Sequence, residues 1–161
     1  MKRFLPFLFA VSILAGFASA EAPVTQAEAA TVFTKAEQVM KSVLRYKTAA
    51  PAFQRGTGVA TREQILKHFS DLMAAMKGKF KFTPPPLPSA PAYVSFKDPK
   101  TKELAVKMEA LGFIDRYGPL ATSKTEGLSP QEFGDALGYF MARIAELSHT
   151  PSSKFSPYLS G

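Results

Sequence analysis

Residues 61–76 read TREQILKHFSDLMAAM, and residues 129–144 read SPQEFGDALGYFMARI. Each stretch opens on a hydroxyl residue followed three places later by Gln or Glu: Thr61 with Gln64, Ser129 with Glu132. That pattern is a capping box. The hydroxyl accepts from an early helix N–H, and the side chain three residues on reaches back to the cap's own N–H. Apolar residues then fall at matching places, Ile65, Phe69, Leu72, Met73 and Met76 against Phe133, Leu137, Phe140, Met141 and Ile144, at a constant offset of 68 residues. The spacing is helical, and the coincidence reads as one capped helix used twice. The expected fold class is all-α, with two helix-loop-helix repeats on a shared core and a Pro-rich linker between them.

Upstream, Thr25-Gln26-Ala27-Glu28 is another capping box. Ala29, Val32, Phe33, Ala36, Val39, Met40, Val43 and Leu44 follow it at helical spacing, which predicts a helix from about 26 to 46. Tyr46–Ala60 reads as a loop. Its Arg55-Gly56-Thr57-Gly58 is too short for a phosphate loop, and no Lys-Ser/Thr follows it. The second helix is expected over about 62–76. KGKFKF then alternates basic and aromatic residues, a period-2 strand with Phe80 and Phe82 inward. Pro84, Pro85, Pro86, Pro88 and Pro91 exclude a helix beyond it. Asp98-Pro99 supplies a cap and a first helical residue, Leu104, Ala105, Met108 and Leu111 make a stripe, and Gly112 is placed to end that helix. Ser129 and Pro130 start the last helix, expected to reach Leu147 or Ser148. The resulting division is a signal peptide at 1–20, a first repeat at 21–76, a linker at 77–96, a second repeat at 97–148 and a flexible tail at 149–161.

The signal peptide rests on Lys2 and Arg3, an apolar run over Phe4–Phe17, and Ala18-Ser19-Ala20, which fits the small-residue rule for cleavage before Glu21. The run is too short for the roughly 18–20 residues that span a bilayer. Export to the periplasm or cell surface is therefore expected. What remains is enough for one ordinary domain or two small units sharing a core. With no Cys anywhere, disulfides, thiolate metal sites and Cys nucleophiles are ruled out. The formal net charge is +7, near +5 once Lys2 and Arg3 are removed, a balance that favours acidic partners. Wall polymers and anionic lipid fit an exported protein better than nucleic acid does.

No catalytic constellation emerges. His68 and His149 lack companions at metal spacing, and His68 is expected to pair with Asp71 on the surface. Ser129 lies in no Gly-x-Ser-x-Gly elbow. Glu126 and Glu132 flank one loop end, where loop and cap duties account for them. No calcium-loop pattern is present. No enzyme activity, metal or cofactor is expected.

The second half resembles an S-layer homology repeat. Such repeats start with Phe-x-Asp, run through a helix to Leu-x-x-x-Gly-Ile, cross a glycine-containing loop and enter a helix at a Thr-Arg-Ala-Glu-type motif. Here Phe96-Lys97-Asp98, Leu111-Gly112-Phe113-Ile114, Gly118 and Leu128-Ser129-Pro130-Gln131-Glu132-Phe133 stand at those places. Ala60-Thr61-Arg62-Glu63-Gln64-Ile65 matches in the first half. Pro130 replaces the motif Arg in the second copy, Gln64 replaces the motif Glu in the first, and the family commonly works with three repeats. The resemblance implies a noncovalent cell-wall-attachment module. Its ligand residues carry over as Thr61 and Arg62, with Ser129 and Glu132 as cap positions and Asp98 as the repeat-start acid. A helix start offers N–H groups and positive dipole to an anion, and Arg adds a bidentate donor. The expected partner is an acidic cell-wall polymer, or another envelope protein, with self-association as a way to supply a third repeat. The alternative is a periplasmic structural or protein-interaction domain without glycan binding.

Overall fold

The computed structural model describes residues 21–79 and 96–159. The expected signal peptide, the expected strand at Phe80 and Phe82 and most of the Pro-rich linker lie outside the described residues. The fold is all-α. Its helices are α1 (Gln26–Leu44), α2 (Arg62–Ala75), α3 (Pro99–Ala110), a single turn α4 (Pro119–Thr122) and α5 (Pro130–Leu147), followed by a 3₁₀ turn at Ser152–Phe155.

The helix starts are where the sequence places them. Thr25, Thr61 and Ser129 each close a reciprocal capping box, and Asp98 accepts from the Thr101 N–H. α3 ends as its sequence predicts. Gly112 adopts φ +77°, a conformation that favours glycine, while its N–H bonds to Glu109 O and the Phe113 N–H to Met108 O. α4 interrupts the 113–128 stretch that the sequence reads as a loop. Gly118-Pro119 marks its start, since proline is preset for the first helical position.

The core is built across the two capped helices. Phe69 of α2 stacks on Phe140 of α5 with ring centroids 4.4 Å apart and planes 9° from parallel. Phe33 of α1 meets both helices, edge-on to Phe69 at 5.8 Å and to Phe133 at 5.2 Å. Ile65, Phe69, Leu72 and Met76 are buried, as are Phe133, Leu137, Phe140, Met141 and Ile144; Met73 alone of the matched positions is only half-buried. α3 packs beside α2.

Two sequence expectations are overturned. The tail is docked on the body through Phe155. Phe155 is fully buried, and the 3₁₀ turn carrying it lies against α1 and α5. An isolated aromatic with no periodic neighbours gives no helical or strand signal, yet burying it contributes about 2–3 kcal/mol. His68 is not paired with Asp71, which instead binds Lys67 at 2.9 Å. The imidazole is buried on Phe33, with centroids 4.3 Å apart, and edge-on to Phe53 at 5.3 Å. Ile65, His68 and Leu72 share one helix face, and that spacing was the available signal for burial.

Candidate functional site

The capped helix starts do not stand apart. The three chain segments leading into α1, α2 and α5 bond to one another. The Val24 N–H donates to Leu128 O at 2.8 Å, and the Ala60 N–H to Val24 O at 2.9 Å. Antiparallel bridges join Thr25 to Val59 and Thr61 to Gly127. The N-terminal strap at Val24 thus lies between the lead-ins of both halves. Gly127 sits at the closest approach: a Cβ there would fall 2.4 Å from Val59 Cγ1 and 3.1 Å from Pro23 Cβ.

This junction consumes helix-start donors. At α1, the Gln26 and Ala27 N–H groups bond to Gly58 O and Gly56 O, and the Glu28 N–H to the Thr25 hydroxyl. The Arg55–Gly58 loop therefore turns carbonyls toward a helix, the opposite polarity to a phosphate cradle. At α2, the Arg62 N–H bonds to Glu126 O at 2.8 Å and the Gln64 N–H to the Thr61 hydroxyl at 3.1 Å. At α5, Pro130 has no N–H, and the Glu132 N–H bonds to the Ser129 hydroxyl. An anion approaching α1 finds its first-turn N–H groups taken, and one approaching α2 or α5 finds them largely so.

Two clefts flank the 125–127 segment. The first, of about 370 Å³, is lined by Thr61, Arg62, Phe96, Lys97, Lys124 and Glu126 among others. The second, of about 630 Å³, lies between Glu21–Pro23 and the α5 start, with Ser129 and Glu132 on its wall. Thr125 and Glu126 border both. Thr61/Arg62 and Ser129/Glu132 therefore line neighbouring clefts on either side of one chain segment, not one shared groove. Asp98 borders neither cleft. It is exposed, and hydrogen bonds from Thr101 hold its carboxyl below the usual range.

Arg62 is the main surprise. Its guanidinium is buried, with Nε donating to Thr125 O and Nη1 to Leu120 O, both at 2.9 Å. Phe96 covers its face at 4.9 Å. Burial lowers its pKa, partly offset by Glu63. The residue ties the 120–125 loop to α2. The exposed cations at this cleft are instead Lys97 and Lys124. Lys97 lies within the Phe-Lys-Asp motif; Lys124, in an aperiodic loop, carried no sequence signal.

The remaining polar groups serve the fold. Glu132 accepts from the Ser129 N–H at 2.8 Å, and the Thr125 hydroxyl donates to Gly127 O at 2.8 Å. Among the described residues no group of three or more His, Asp or Glu could hold a metal, and no helix is long and apolar enough to cross a membrane.

Comparison with protein-family models, with curated proteins and with solved structures returned no match. The S-layer homology resemblance accordingly stands on the motif residues alone.

Proposed function

We propose that this protein is an exported, non-catalytic binding module that associates noncovalently with an acidic cell-envelope polysaccharide. The observation that carries the reading is the junction. Three capped helix starts, those of α1, α2 and α5, meet there, and a cleft with two exposed lysines opens beside it. Lys97 and Lys124 provide charge for a carboxylate or ketal-acid sugar, while Glu63 and Glu126 provide acceptors for its hydroxyls.

The reading changes which residues test it. Arg62 is expected to act on stability, so its loss cannot report on the ligand. The direct test is co-sedimentation of the mature protein with purified cell-wall sacculi. Lys97→Glu with Lys124→Glu is expected to weaken sedimentation at least tenfold while leaving the melting temperature unchanged. Retention in the supernatant at low salt, or full binding by the double variant, overturns the reading.

A second reading, a periplasmic protein-interaction domain without glycan binding, is favoured by the engaged α1 and α2 starts, which leave little backbone for an anion. It predicts that sacculi stripped of wall polymer sediment the protein as well as intact ones.

A further inference from the structure

α2 and α3 pack side by side and leave a groove of about 280 Å³ between them. Met108 and Leu111 form its floor, and half-buried Met73 and Leu104 form its walls. Lys77 and Lys107, both exposed, stand on its rim. The lining residues recur at spacings of three and four on both helices, so the groove runs along the helix pair. Its volume accommodates one or two large apolar side chains. Methionines on the floor and wall adapt to the shape inserted.

The charge around the groove is one-sided. The turn after α2 and the whole of α3 carry Lys77, Lys100, Lys102 and Lys107 against Glu103 and Glu109; Lys79 donates instead to Arg45 O, and Asp71 of α2 is taken by Lys67. Glu109 is withdrawn from this balance, its side chain buried and bound to Arg116 Nε at 2.6 Å. The groove thus presents apolar surface among lysines, at the opposite end of α2 from the first cleft.

We infer that this groove is a docking site for an acidic amphipathic helix of a partner protein, taken in helix-in-groove fashion. One or two apolar anchors at i and i+4 would enter between Met73 and Leu104, with Glu or Asp beside them meeting Lys77 and Lys107. Two other occupants fit less well. A second copy related by a two-fold axis would set the same lysines against each other, a repulsive arrangement. A membrane surface needs protruding apolar residues, but Tyr117 and Tyr139, the large exposed apolar residues among those described, are not part of the groove.

The test is fluorescence anisotropy with the full mature chain and a labelled synthetic helix of about 18 residues. The helix carries Leu at one face and Glu on both flanks; a control carries Lys in place of Glu. The Glu helix is expected to bind with an affinity that falls as salt rises, and the Lys helix not to bind. Lys77→Glu with Lys107→Glu should weaken binding at least tenfold at an unchanged melting temperature. Leu104→Ser, at a half-buried wall position, should weaken it without unfolding the protein. Equal binding of the two helices, or indifference to the double reversal, overturns the inference. So does uptake by vesicles of equal parts phosphatidylcholine and phosphatidylglycerol with no binding of the Glu helix. Binding that arises only when residues 80–95 are replaced by a Gly-Ser linker overturns it as well, because the chain's own segment would then hold the groove.

Discussion

Three residues carry duties that their chemistry alone would not assign. Gly127 is the first. Its missing side chain lets the Val59 and Pro23 segments close over it. Gly127→Ala should cost about 1–3 kcal/mol by overpacking, read as a lowered midpoint in urea. Arg62 is the second. Arg62→Ala strips donors from the Thr125 and Leu120 carbonyls and should cost about 1–3 kcal/mol, with sacculus binding per folded molecule retained. His68 is the third. Burial holds its pKa below the ordinary value, outweighing the upward pull of Asp71 and Glu37, while Lys67 adds to the lowering. An unfolded His titrates near 6.5. Between that pH and the lower folded value, the unfolded chain binds more protons. Stability should therefore fall as pH drops below about 6.5 and level off once the folded value is passed. Comparing melts of the wild type and His68→Leu across pH 5–8 isolates the effect, since the variant lacks that slope. The burial of His68 was legible in the Ile65/His68/Leu72 spacing. The burial of Arg62 was not, because backbone carbonyls from a distant loop leave no trace in a charge pattern.

At the scale of elements, the sequence was most informative where a helix begins. A capping box is a local device, written within four residues, so Thr25, Thr61 and Ser129 could be read without knowing the fold. Ser129→Ala should cost about 1 kcal/mol and Thr61→Ala a similar amount. The two losses are expected to couple rather than add. Thr61 and Gly127 form a bridge, so loosening either lead-in disturbs the other, and a double-mutant cycle measures this. Periodicity served equally well inside α2 and α5. It failed for the last element. Phe155 reaches the core from a 3₁₀ turn, too short to display a period. Phe155→Ala, or truncation after Thr150, should cost about 3–5 kcal/mol, enough to lower the thermal midpoint by many degrees.

At the scale of the molecule, the sequence reads as two repeats joined by a linker, while the structure turns on a junction to which a third capped start contributes. The reason is physical. A single hydrogen bond between loops far apart in the chain has no periodic signature, and five such bonds make the junction. Charge distribution was also invisible as a total. A net +7 is a sum without a location; the fold segregates lysines along α3 from those beside the 125–127 segment. Two separable acidic ligands are therefore expected. Charge reversal at Lys97 and Lys124 should leave binding of the Glu-flanked helix intact, and reversal at Lys77 and Lys107 should leave sacculus binding intact.

The placement of Val24 also sets a timetable. It bonds forward to Ala60 and then to Leu128, just ahead of α5. Whichever way the chain emerges from the ribosome or across a membrane, its earliest folded residues cannot find their final partner until most of the protein has followed. Contacts between remote parts of a chain close late, after the entropy of the intervening loop has been overcome. The first half is then expected to remain loosely held, open to chaperones or proteases, until Leu128 arrives. Arrest of synthesis before that point should leave α1 and α2 cleavable, and extension past the last helix should protect them.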